Sequence, residues 1–357
     1  MAKFQFWLPK FTDLTRVQKR AVDETESIFL SGVPGTGKTV VSIYRLKNSD
    51  NAILFTYGKL LKKTIQEKID GVILYPVDNI HHWLWNQQEV SREYLEVMVD
   101  DEHRDDTVRM LRSNGVKFDE ILVDEGQDLS IETYKMLGQL TDKLSISADN
   151  AQQINNKKEA TNEEEIQQIF PNLRRFELDE IFRSAYELYK FAIQFVPNNA
   201  RAHNATLLER LERKNSGADK PLVYIEPNLD GMFETVRDII DDNPTDNIGI
   251  LFEDTVDIKT FAKELLNEYE ISVYHSEVKV PNDLHNIILT TFKSAKGVEF
   301  DVVIIPYFKD RTRYTPEEYY VGVTRAKNQV HFLSINELPE MLKDFDEETY
   351  ELIDNRS

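Results

Sequence analysis

Two stretches carry the residue types that phosphate chemistry requires. The first, "GVPGTGKT" at residues 32–39, fits the pattern G-x-x-x-x-G-K-[ST]. Gly32, Gly35 and Gly37, with Thr36 between the last two, let backbone N–H groups close around phosphate oxygens. Lys38 is placed to reach the outer phosphates of a nucleotide, and the Thr39 hydroxyl to ligate Mg²⁺. The second, "ILVDEGQDLS" at residues 121–130, is an apolar run that ends in Asp124, Glu125, Gln127 and Asp128. Delivered beside a phosphate loop, Asp124 can hold Mg²⁺ directly or through water. Glu125, next in the chain, can turn toward an attacking water and act as general base. Taken alone, polar residues after a strand also make turns and helix caps, and Asp128 stands where it could cap the helix "IETYKML".

These residues need elements to hold them, and the flanking pattern supplies them. "SIFLSG" reads as a strand and "KTVVSIYRLKN" as the helix that the loop opens; "NAILFTYG" and "KLLKKTIQEKID" repeat the pair. "FDEILVDEG" and "KLSISAD" are further strands. The alternation predicts an α/β fold with a parallel, doubly wound sheet. A mainly helical stretch at roughly residues 81–115 reads as an insertion beside it. From about residue 180 the helix "SAYELYKFAIQFV" begins a second α/β unit, with strands at "PLVYIE", "NIGILFED", "ISVYHSE", "NIILTTF", "DVVIIPYF" and "QVHFLSI". The expected organisation is two domains, residues 1–179 and 180–357.

Composition bounds the setting. A chain of 357 residues, 41% hydrophobic and 30% charged, can bury two cores and is not fibrous or disordered in character. It has no cysteine, which excludes disulfides and thiolate metal sites. No segment approaches a membrane span, so no membrane partner and a cytoplasmic location are expected. The net charge of -20 argues against tight, nonspecific grip on a nucleic-acid backbone. Part of that acid is local, in "DDEHRDD" (100–106), "NEEE" (162–165) and "DFDEETYELID" (344–354), each expected to be a solvated loop, a helix start or a frayed end.

The ordered set of motifs resembles the UvrD/Rep-like superfamily 1 helicases, from Leu14 to about Phe332. "VDEGQDL" is similar to that family's D-E-x-Q-D signature. The resemblance implies two RecA-like P-loop domains with ATP in the cleft between them, and ATP and Mg²⁺ as cofactors. "LTRVQKRAV" matches the Q motif, which implies that Gln18 reads the adenine edge. "SADNAQQI" places Asp149 and Gln152 in a D-x-x-Q motif, with Gln152 sensing the γ-phosphate. "EIFRS" implies adenine stacking by Phe182 and phosphate binding by Arg183. "KGVEF" puts Gly297 and Glu299 near the ribose, and "YVGVTRAKN" makes Arg325 the arginine finger of the second domain. Since Arg325 and Lys38 belong to different domains, the resemblance implies that hydrolysis is coupled to domain closure.

Nucleic-acid contacts are implied by two further likenesses. "FTYGKLLKK" resembles motif Ia, with Thr56 and Tyr57 at a strand's end and Lys59, Lys62 and Lys63 available for phosphates. "VDNIHHWLW" resembles V-x-T-F-H-x-W, with Asn79 where Thr is usual and with His81 and Trp83 in place. Tyr57 and Trp83 could stack on bases or belong to a core, and the lysines could meet phosphates or only water. Adjacent His81 and His82 lack other ligands nearby, so no zinc is expected.

The chain departs from the family in three places. "QINNKKEATNEEE" lacks the base-stacking aromatic, Lys293 replaces the His of T-x-H, and the span between "EIFRS" and "NIILTTF" is too short for the large accessory insertion. Two functions follow as expectations. One is a compact motor ATPase acting on single-stranded DNA or RNA, or on DNA ends. The other is a helicase-like ATPase switch or sensor that acts on a protein partner within a larger complex.

Overall fold

The computed structural model describes residues 2–56, 58–68, 77–79, 108–148, 163–180, 186–196, 208–209, 219–275, 278, 283–310 and 316–356. They fall into two compact units, Trp7–Asp179, and Glu180–Ser357 together with Met1–Phe6. In the first unit, six strands form one parallel sheet: β1 (Ile28–Ser31), β2 (Ala52–Thr56), β3 (Val77–Asn79), β4 (Glu120–Val123), β5 (Leu144–Ala148) and β6 (Arg174–Glu177). Their order across the sheet is β3-β2-β4-β5-β1-β6. The strand before the phosphate loop and the strand before Asp124 are thus separated by β5, and all the strands end on one edge of the sheet.

β1, β2, β4 and β5 are buried along their whole length, and apolar residues dominate them, with Glu120, Ser145 and Ser147 buried among them. Successive side chains go to opposite faces. Phe29 joins a core with Ile53, Ile121, Val123, Ile146 and Tyr134. Its neighbours Ile28 and Leu30 join the opposite core, with Leu14, Ala21, Val22, Val41 and Phe176. The second core lies under helices α1 (Arg16–Asp23) and α2 (Lys38–Lys47).

The second unit repeats the architecture with seven parallel strands. They are β7 (Leu222–Glu226), β8 (Ile248–Phe252), β9 (Ile271–Tyr274), β10 (Ile287–Thr291), β11 (Phe300–Ile305), β12 (Ala326–Ile335) and β13 (Glu351–Asp354), in the order β13-β7-β12-β11-β8-β10-β9. One face packs on the helices Leu229–Asp242 and Thr255–Leu265 through Val236, Ile240, Phe261 and Leu265. An aromatic cluster with Phe191, Phe195, Phe308, Tyr319, Phe332 and Phe345 forms a separate core, Phe191 coming from the expected helix here seen at Tyr186–Ala192. The α/β fold with two parallel sheets agrees with the sequence reading.

Three strands were not expected, and all three are edges: β3 ("VDN"), β6 ("RRFE") and β13 ("ELID"). β13 corrects the reading of the acidic tail as a loop, helix start or frayed end, because Glu351–Asp354 pairs with Leu222–Ile225 of β7. Edge strands tolerate charge, and charge protects them from pairing with other chains. The acidic run at "NEEE" does begin a helix, with Glu163, Glu164 and Glu165 in the first turn of Glu163–Ile169, where the helix dipole favours carboxylates. Of the expected insertion, residues 108–113 are helical and residues 80–107 lie outside those described. Among the described residues no helix is long and apolar enough to cross a membrane.

Candidate functional site

The glycine-rich loop proposed for phosphate runs from β1 into α2, and its last glycine is the helix N-cap. Gly37 sits in the left-handed region, with φ 85° and ψ 27°. The backbone there favours glycine, and a Cβ would press on the Gln18 side-chain nitrogen, 2.4 Å away. Gln18 is itself buried and engages protein at both ends of its amide. Its oxygen accepts from the Thr15 N–H at 2.9 Å, closing a capping box at the start of α1. Its nitrogen donates to the Thr36 carbonyl at 2.9 Å. In the structure Gln18 therefore braces the loop from α1. Thr36 adds a second brace by donating to the Val33 carbonyl at 2.9 Å, and Lys38 donates to the carbonyls of Gly32 and Val33.

The two sequence stretches meet at the first residue pair expected to hold Mg²⁺. The Thr39 hydroxyl donates to Asp124 Oδ2 at 2.6 Å across 85 residues of chain. Ser147, near the end of β5, donates to the other carboxylate oxygen at 2.7 Å. The Asp124 N–H bonds to the Phe55 carbonyl at 2.8 Å, which ties the residue to β2. Asp124 is 2% exposed. Burial and the adjacent Glu125 carboxylate push its carboxyl above its ordinary pKa, against the hydrogen bonds from Thr39 and Ser147 and the charge of Lys38. A hydroxyl and a carboxylate are hard oxygen donors, so the pair fits Mg²⁺.

Glu125 departs from ordinary backbone. It has φ 57° and ψ 44°, a left-handed conformation that non-glycine residues adopt at a cost. Its carboxylate accepts from the Gln127 side-chain amide at 2.7 Å, and both residues are buried. Asp128 ends the short 3₁₀ turn Gly126–Asp128, and the N-cap position of the following helix falls on Ser130. The Ser130 side chain accepts from the Thr133 N–H at 3.3 Å. The turn lengthens the link between strand and helix, which moves the cap two residues on.

Of the nucleic-acid candidates, Thr56, Lys59 and Asn79 are described in the first unit and Lys293 in the second. Thr56 and Asn79 are register partners at the ends of β2 and β3. The Thr56 hydroxyl is buried and has no hydrogen-bond partner among the described residues. Lys59 opens the helix Lys59–Lys68, on which Lys62 and Lys63 are half-buried. In the second unit, Gly297 takes a left-handed φ of 79° between β10 and β11, with exposed Lys293 and half-buried Glu299 on the same connection. Arg325 is 1% exposed at the junction of the helix Glu317–Val323 with β12. Tyr57, His81, His82, Trp83, Asp149, Gln152, Phe182 and Arg183 lie outside the described residues.

Sequence reasoning missed two supports of the site. Ser147 is one. The other is a buried ion pair at the far end of the same elements, Arg45 of α2 with Glu120 of β4 (2.6 Å). The Glu120 carboxylate also accepts from the Ser145 hydroxyl, and the Arg45 guanidinium donates to the carbonyls of Ala21 and Glu24 at 2.8 and 2.6 Å. A charged residue on a helix or at a strand's start has no local signature of pairing.

No family model matches the chain, and no curated protein does. Solved structures do. One is the C-terminal domain of a possible DNA helicase from Lactobacillus plantarum WCFS1, at 20% identity and a TM-score of 0.37, covering 48% of this chain and 98% of that one. Another is the PRRSV helicase, at 13% identity and a TM-score of 0.41, covering 89% of this chain and 54% of that one. A third is arterivirus nonstructural protein 10, a helicase solved with DNA, at 13% identity and a TM-score of 0.42, covering 92% of this chain and 65% of that one. All three are described as helicases. The chain spans less than two thirds of each viral helicase chain.

Proposed function

We propose that the chain is a Mg²⁺-dependent ATP hydrolase of the helicase-like motor type, acting on single-stranded nucleic acid. The observation that carries the reading is the Thr39–Asp124 contact at 2.6 Å, with Glu125 next in the chain and the phosphate loop immediately before Thr39. Thr39 and Asp124 would hold the cation. When bound, Mg²⁺ supplies charge to neutralise the phosphate oxygens. The loop's N–H groups and Lys38 would bind the β- and γ-phosphates. Glu125, its carboxylate held by Gln127, would take the proton of the attacking water. Arg183 and Arg325 of the second unit, with Gln152, are the proposed groups that answer to the γ-phosphate and offset developing charge. Gln18, Phe182, Gly297 and Glu299 are the proposed contacts of the base and ribose.

The nucleic-acid assignment is supported by the pairing of Thr56 with Asn79 and by the unpartnered Thr56 hydroxyl on the edge where Asp124 also lies. The deciding experiment is ATP turnover with and without single-stranded DNA or RNA, at low and moderate salt. The expected result is stimulation by one of the strands that weakens with salt. Turnover indifferent to both would overturn the motor reading and favour the second one, an ATPase switch acting on a protein partner. That alternative is supported by the charge of -20 and by the absence of a stacking aromatic in "QINNKKEATNEEE".

A further inference from the structure

We infer that Tyr134 is a positioning residue for Glu125; the inference rests on the ATP-hydrolase reading above. Tyr134 is fully buried on the helix Ile131–Leu137, the helix that follows the acidic turn. Its hydroxyl reaches back eight residues and donates to the Gly126 carbonyl at 2.6 Å. The same carbonyl accepts from the Leu129 N–H at 3.1 Å, so two donors fix the peptide that joins Gly126 to Gln127. On one side of that peptide is Glu125, in its left-handed conformation with φ 57°. On the other is Gln127, whose amide holds the Glu125 carboxylate at 2.7 Å.

Packing leaves the turn nowhere else to go. A Cβ on Gly126 would meet the Tyr134 hydroxyl at 2.3 Å and Ile146 Cγ2 at 2.8 Å. Residue 126 is therefore glycine because the tyrosine oxygen occupies the space a side chain would need. The Tyr134 ring packs edge-on against Phe170, with centroids 6.2 Å apart, which fixes where the hydroxyl can point. A strained residue persists only where its surroundings over-determine it, and the Tyr134 hydroxyl and the Gln127 amide are two of the contacts that hold this one. Tyr134 touches no reacting atom. It acts by keeping Glu125 and Gln127 in register with Asp124, at a site where small displacements cost rate.

The test is Tyr134→Phe, which keeps the ring and deletes the donor, alongside Glu125→Gln and the parent protein. Expected is a fall in kcat of about tenfold, the order of one buried hydrogen bond. The dissociation constant of a fluorescent ATP analogue should stay within about twofold of the parent's, since the phosphate loop is untouched. A purely structural tyrosine would lower the thermal midpoint while leaving kcat per folded molecule unchanged, and that result overturns the inference. So does a fall in kcat matched by an equal loss of nucleotide affinity. Should Tyr134→Phe fail to fold, Gly126→Ala presses on the same contact from the other side and is expected to show the same loss confined to kcat; full activity in it counts against Tyr134. An inactive Glu125→Gln beside a fully active Tyr134→Phe overturns this inference alone. A fully active Glu125→Gln overturns the reading of the site, and the inference with it.

Discussion

At the scale of single residues, the chain places ionisable groups where water does not compensate them, and each has a visible reason. Asp124 is held by two hydroxyls, and Glu125 by an amide. His331 on β12 is the counterpart in the second unit, with no part in the proposed chemistry. Its ring is buried, lies within 3.3 Å of the Tyr224 hydroxyl and 3.2 Å of the Gln329 amide oxygen, and has its pKa lowered by burial to about 4. An unfolded histidine titrates at about 6.5. Between those values the unfolded chain binds a proton that the folded one does not, so stability rises with pH across the window. The second unit should thus be at full strength above about pH 6.5 and weaken progressively as pH falls toward 4. Urea unfolding at several pH values measures the slope. In His331→Gln the part of the slope between those values should vanish.

At the scale of elements, the Arg45–Glu120 pair joins α2 to β4, and each of these delivers a site residue at its other end. Loss of one partner leaves a buried charge without compensation, at a cost of about 3–5 kcal/mol. Glu120→Ala should therefore unfold the first unit at markedly lower denaturant. Arg45→Met combined with Glu120→Leu should recover most of that loss, because a packed apolar pair has no desolvation penalty to offset. A double variant as unstable as the single one would show that the Arg45 bonds to Ala21 and Glu24 matter more than the ion pair. The same scale explains what could be read in advance. Strands enclosed on both faces, such as "IFLS" and "AILFT", declare themselves by runs of apolar residues. "VDN", "RRFE" and "ELID" do not, since an edge strand needs only a neighbour on one side.

At the scale of the molecule, the chain passes between its two units twice, at residues 6–7 and 179–180. The first passage leaves a strap. Phe4 N–H bonds to the Leu284 carbonyl at 2.9 Å, and the Gln5 backbone exchanges two 2.9 Å hydrogen bonds with the Asn247 side chain. Phe4 packs edge-on against Phe300, with centroids 5.9 Å apart, at the start of β11. Residues first in sequence are thus part of the second unit's core. Phe4→Ala should lower the stability of that unit by about 3 kcal/mol while the first unit unfolds as before. Unfolding followed by separate probes in the two units would measure this, and an unchanged second unit would reduce the strap to surface decoration.

The sequence by itself determined what is local: a glycine-rich loop at 32–39, two carboxylates at a strand's end, and two successions of strand and helix. Those features are written in the spacing of neighbouring residues, because a turn, a helix cap and a buried strand are each built from a few consecutive positions. Only the tertiary structure decided that Thr39 meets Asp124 and that Ser147 holds the second carboxylate oxygen. It also decided that Tyr134 pins the turn at Gly126, and that Phe4 belongs to the second unit. These contacts depend on the order of strands across a sheet and on the faces of helices laid against it. Hydroxyls, charges and a lone phenylalanine have no local pattern that states whom they will meet.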